Sequence, residues 1–115
     1  MSQHDDRLPM EQMLNHAREA VDLIRGLTPA DLERNRMLQL ALLQLVTIVG
    51  EAARRVSPEG QARFPEIPWR EAIVTRNRVT HGYDTIDYML VWNTIALDFP
   101  PLVTALEGAV SGGRA

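Results

Sequence analysis

The residues of this chain best suited to chemistry lie in one short stretch, Arg76-Asn77-Arg78-Val79-Thr80-His81-Gly82-Tyr83. An imidazole titrates near neutral pH and can take or give a proton. A guanidinium stays charged and can fork onto a phosphate or carboxylate. The chain has no cysteine, which removes disulfides and thiolate chemistry. Its three histidines are widely separated and argue against a zinc site. No cofactor and no metal are expected.

A helix must position these groups. Pro68 suits a first helical position, and Gly82 suits the residue just past a helix end. The spacing predicts a helix from about Pro68 to His81. On a wheel of about 100° per residue, Trp69, Thr80 and Ile73 fall within about 60° of Arg76 on one side. Ala72 and Val79 fall within about 60° on the other. Arg76 thus sits in the middle of the apolar face, where patterning alone would place a hydrophobic residue. Asn77 and His81 line one edge, four residues apart and able to touch. A core-facing guanidinium is costly unless paired, so a carboxylate is expected close to Arg76. Glu51 is the candidate. It belongs to a polar stripe with Gln44, Thr47, Arg54 and Arg55 on an otherwise apolar helix. Either that stripe faces solvent, with Glu51 and Arg55 as a surface pair, or Glu51 leaves the core helix to meet Arg76.

At 115 residues the chain is one domain, 1–115, with 1–7 and 111–115 expected as loose tails. Hydrophobic content of 45% beside 23% charged residues is that of a soluble globular protein. No signal-peptide pattern opens it, and the apolar run from Met37 to Gly50 falls short of the roughly 20 residues of a membrane span. The expected place is the cytoplasm, away from membrane. The net charge of −3 argues against an extended nucleic-acid groove, yet the charge is segregated. Residues 52–83 carry six Arg against three Glu, and the flanking acidic stretches offset them. All 12 basic residues are Arg.

Taken in order, Pro9 opens a helix to about Gly26, with Met10, Met13, Leu14, Ala17, Val21 and Ile24 at helical spacing. Thr28-Pro29-Ala30-Asp31 reads as a cap, a first-turn proline and an acid at the positive helix end. A short helix or lead-in turn there leads into a long apolar helix to about Val56. Ser57-Pro58-Glu59 caps a short helix to about Phe64. Pro65 to Pro68 should be extended, because a residue before proline avoids the α region. After the 68–81 helix and a turn, Asp87 can cap a last helix bearing Tyr88, Trp92, Ile95, Phe99, Leu102 and Leu106. Pro100-Pro101 should kink or interrupt it near Leu97 to Phe99. The expected fold is all-α, a bundle of about four main helices plus a short one.

The segments Ile48-Val49-Gly50-Glu51-Ala52-Ala53, Phe64-Pro65-Glu66-Ile67-Pro68-Trp69 and Arg76-Asn77-x3-His81-Gly82-Tyr83, with Asp87 to Trp92, give the chain a resemblance to a family. From about Met37 to Val110 it resembles the HepT-like branch of the HEPN superfamily. These are all-helical toxins paired with minimal nucleotidyltransferase antitoxins. The resemblance implies a HEPN-type bundle, usually a homodimer. It implies that Arg76 and His81 are the ribonuclease pair, brought together with their symmetry mates in a cleft between protomers. Asn77 would support them. Tyr83 would be the tyrosine that the nucleotidyltransferase adenylylates to silence the toxin.

Such a site can cleave RNA without a metal. RNA supplies its own nucleophile, the 2′-OH; His81 can move the proton, and Arg76 can stabilise charge on the phosphate. A two-fold dimer would double each group and separate acid from base. The apolar helix surface also exceeds what so short a chain can bury alone, which again points to a dimer. A second reading is a non-catalytic module that binds a nucleotide or presents Tyr83 to a nucleotidyltransferase. A third is a structural helical dimer. Taken alone, Tyr83 reads as a half-buried ring packed on the last helix; the resemblance shifts this toward a tyrosine carried on the turn after Gly82 and exposed to the partner.

Overall fold

The computed structural model describes residues 5–80 and 86–112. Every regular element among them is helical: α1 (Arg7–Ile24), α2 (Pro29–Arg34), α3 (Arg36–Arg55), α4 (Pro58–Arg63), α5 (Trp69–Thr80), α6 (Tyr88–Asn93) and α7 (Phe99–Gly112), with a π-helical turn, Thr94–Asp98, joining the last two. The all-α expectation holds. The four main bodies are α1, α3, α5 and the continuous rod from α6 to α7. Two short helices, α2 and α4, accompany them.

The polar residues between helices explain these boundaries. Gly26, at φ 79°, takes the left-handed conformation that ends α1, and the Leu27 N–H returns to the Ile24 carbonyl at 2.9 Å. Thr28 and Asp31 form a reciprocal capping box on α2. The Asp31 carboxyl is held below its ordinary value, first by the Thr28 backbone N–H and then by its hydroxyl. Asn35 caps α3 through the Leu38 N–H at 3.0 Å. Ser57 caps α4 through the Gly60 N–H at 3.0 Å, and Asp87 caps α6 through the Leu90 N–H at 3.0 Å.

Two local expectations change and a third holds. Residues 65–68 are not simply extended. Phe64, before Pro65, stays outside the helical region, but Pro65 and Glu66 make a turn closed by the Ile67 N–H on the Phe64 carbonyl at 3.1 Å. Some residues expected in loose tails are helical. Ser111 and Gly112 belong to α7, and Arg7 already opens α1. The start of α1 is pinned because the Asp6 carboxylate accepts from the Ser57 N–H at 2.8 Å and from the Ser57 hydroxyl at 2.6 Å. Finally, the prolines produce a widened turn ahead of α7. Pro100 and Pro101 have no N–H, and in an α-helix their rings would press on the carbonyls one turn back. The Phe99 N–H instead reaches five residues back to Thr94, and the helix continues.

The core lies where α1, α3 and the rod meet. Met13, Ala17 and Ala20 of α1, Leu42, Val46 and Val49 of α3, and Ile95, Leu102 and Leu106 of the rod are buried in it. Removing that apolar area from water is the main force holding the bundle. By length and composition alone, α3 and the Tyr88–Gly112 rod could each cross a membrane. The Met37–Gly50 run is shorter than a span, but the helix carrying it is 20 residues long. The core helix of a soluble protein passes the same test.

Candidate active site on helices three and five

The Trp69 indole fixes the first turn of α5. Its Nε1–H donates to the Gln61 carbonyl at 3.1 Å and the Phe64 carbonyl at 3.0 Å, satisfying the polar edge of a buried ring. Near the other end Val79 is buried. Between them α5 lies against α3 with almost nothing in the way. Gly50 is the reason. A Cβ there would run into the Arg76 Cβ and stand 2.9 Å from the Ala72 carbonyl. Glycine inside a helix costs up to about 1 kcal/mol against alanine, and here it admits the backbone of α5 and the stem of Arg76.

That close approach puts Arg76 beside Glu51. The Arg76 Nη2 donates to the Glu51 Oε2, while Nη1 donates to the Asn77 Oδ1 at 2.9 Å. Both members of the ion pair are about one-third exposed, at 31% and 30%. A carboxylate next to the inward guanidinium was the expectation, and the structure supplies it; of the two readings of Glu51, this geometry selects the one directed at Arg76. The other carboxylate oxygen, Oε1, lies 3.6 Å from the Arg54 Nη2. Arg55 reaches α1, donating to the Gln12 side chain.

The polar strip is therefore a chain of groups: Asn77, Arg76, Glu51, Arg54. Thr47, further along the strip, returns its hydroxyl to the Leu43 carbonyl of its own helix at 2.8 Å. Arg70 and Arg78 are exposed on α5. The α5 helix is described as far as Thr80, the residue before His81. His81 and Tyr83, and with them the expected Asn77–His81 contact and the exposure of Tyr83, lie outside the described residues.

Sequence reasoning missed Gly50 as a positioning residue and the Glu51–Arg54 contact. The signal for the first was present: an isolated glycine within a long apolar helix usually marks a close approach by another element. The second needed the geometry, since Glu51 could meet a cation either three or four residues on.

The fold and this arginine–carboxylate seam define a small helical protein with a polar strip across two packed helices. The chain matches the family described as ribonuclease HepT-like over residues 13–108. It belongs to that family. A Thermococcus cleftensis protein named as a probable ribonuclease HepT is 31% identical over 93 residues, covering 77% of this chain and 84% of the relative. A Methanocaldococcus jannaschii protein, named as a candidate RNase, is 28% identical over 107 residues, covering 93% of this chain and 98% of the relative. A Caldanaerobacter subterraneus protein with a similar name is 25% identical over 93 residues, covering 81% and 83%. No solved structure matches the chain.

Proposed function

We propose that this protein is an endoribonuclease whose Arg76 and His81 cleave an RNA phosphodiester without a metal ion. The observation that supports the reading most is the placement of Arg76 in a protein of a ribonuclease family: its stem is packed over Gly50 and its Nη1 is held by Asn77, with Glu51 on Nη2. Such orientation suits a group that must meet charge developing on a phosphate, because it need not reorganise as the charge appears.

In the proposed reaction His81 takes the proton of the 2′-OH. The 2′-oxygen bonds to phosphorus, and the bond to the 5′-oxygen breaks. The leaving oxygen is protonated by an imidazolium. The products are a 2′,3′-cyclic phosphate and a 5′-hydroxyl. One His cannot act as base and acid in the same step, so the active form is a homodimer with both Arg76–His81 sets in one cleft. The chain acts as the toxin of a toxin–antitoxin pair in the cytoplasm. Its partner is a minimal nucleotidyltransferase that attaches AMP to Tyr83, setting a bulky anion beside Arg76 and His81 and blocking RNA.

The test is incubation of purified protein with total RNA, beside Arg76→Ala and His81→Ala variants shown to fold. Cleavage by the parent and at least about 10²-fold less by the variants is expected. Cleavage that survives both substitutions undiminished would refute the assignment. An inactive parent that still binds nucleotide would favour the non-catalytic module. Light scattering that finds a monomer at micromolar concentration would remove the dimer cleft. Mass spectrometry after co-expression with the nucleotidyltransferase checks Tyr83, and neutralisation without AMP at that residue would count against its role.

A further inference from the structure

Glu51 stands between two arginines that it holds unequally. Its Oε2 accepts from Arg76, and its Oε1 is 3.6 Å from Arg54, too far for a hydrogen bond. The Arg54 side chain is 68% exposed, whereas those of Arg76 and Glu51 are only about one-third exposed. Arg54 can therefore move toward the carboxylate, while Arg76 is packed over Gly50. A phosphodiester that approached Arg76 would meet a carboxylate already on Nη2. Both are anions that seek the same planar donors.

On the ribonuclease reading above, we propose that Glu51 is the resident occupant of the phosphate position at Arg76, and that Arg54 draws it away when RNA binds. The Glu51 carboxylate turns from Arg76 to Arg54, closing the loose contact, and the phosphate takes the vacated donors. The three groups carry a net charge of +1 before binding, and the phosphate neutralises it. Without Arg54 the displaced carboxylate would stand unneutralised beside the phosphate, and like charges repel at that range. Arg54 is thus a positioning residue, acting on RNA through Glu51. The device also keeps the site closed to weak anions, because an incoming group must outcompete a tethered carboxylate.

The test uses the full chain and two readouts: anisotropy of a labelled 2′-O-methyl RNA, which lacks the attacking hydroxyl, and steady-state cleavage of the unmodified RNA. Glu51→Gln keeps the shape and removes the charge; it should tighten binding by about two- to fivefold, the worth of a partly exposed ion pair. Arg54→Ala should weaken binding by a similar factor and raise KM with little change in kcat. In Glu51→Gln/Arg54→Ala the loss should disappear, since no carboxylate is left to draw away. Arg25→Ala removes the same charge at a surface pair with Asp22 and should bind as the parent does.

Binding that weakens or stays unchanged in Glu51→Gln overturns the proposal, as Glu51 would then merely orient Arg76. A persistent Arg54→Ala loss in the double variant overturns it too, because Arg54 would touch RNA directly. An equal loss in Arg25→Ala reduces the effect to net charge and also refutes it. A parent protein that neither binds nor cleaves RNA sinks the ribonuclease reading itself, whereas a parent that binds, with the pattern above absent, sinks only the role of Glu51 and Arg54.

Discussion

The two sides of α3 are built on opposite rules. One stripe faces the core with Leu38, Leu42, Leu45 and Val49, all buried. Toward α5 it offers Gly50 and Glu51, which meet a backbone carbonyl and a guanidinium. The first side contributes stability through apolar area. The second fixes the position of charged groups and adds little stability, since a partly exposed ion pair is worth about 1 kcal/mol or less. One helix thus separates holding the fold from presenting the site.

Substitutions should expose that division. The largest loss of stability is expected on the apolar side: Leu42→Ala should cost about 2–5 kcal/mol in urea unfolding, as fully buried leucines do. Arg76→Ala should act almost wholly on function, lowering RNA cleavage by about 10²–10³-fold and the free energy of unfolding by about 1 kcal/mol or less. A large loss of stability in Arg76→Ala, at the level of Leu42→Ala, would dissolve the comparison. Gly50→Ala should fall between, costing about 1–3 kcal/mol and reducing cleavage because α5 must move off α3. If Gly50→Ala is as stable and active as the parent, close approach is not what the seam requires.

The smallest effect belongs to neither side. Asp31 caps α2 with its carboxyl held below the ordinary value, so it binds its proton more readily in the unfolded chain. Its contribution should be fully present above about pH 4 and be lost as pH falls through the depressed value. Acid unfolding of Asp31→Asn beside the parent would show this as a difference confined to the parent's high-pH limb.

How far the sequence reveals this follows the range of the physics involved. The Thr28, Ser57 and Asp87 caps are local and could be read from neighbouring residues. Arg76 was legible as an inward residue because a single helix wheel carries the information. Its pairing with Glu51 was one of two open alternatives, since the choice depends on which side of α3 receives α5. Gly50 carried a signal, an isolated glycine in an apolar helix, but what it makes room for depends on the second helix; the Arg54 contact was open because Arg54 and Arg55 are both within reach of Glu51 on the same helix. The Pro65–Pro68 segment was misread because the proline rule limits only the residue before each ring, leaving Pro65 and Glu66 free to turn. His81 and Tyr83 are assigned by family resemblance; His81→Ala is the measure of the first and mass spectrometry of the second.

The widened turn from Thr94 to Asp98 carries a consequence for how this rod can change over evolutionary time. A π turn holds one residue more than an α turn, so it is equivalent to a single-residue insertion absorbed within a helix. Each α-helical residue advances the direction of the side chains by about 100°. The extra residue therefore sets the phase of everything that follows, and with that phase Leu102, Leu106 and Ala109 of α7 are buried in the core. Loss of one residue in this turn, even exposed Leu97, would rotate that face out of the bundle, while substitutions there leave the phase untouched. At the exposed position Leu97 residue count is under tighter constraint than residue identity, whereas buried Ile95 is held to both.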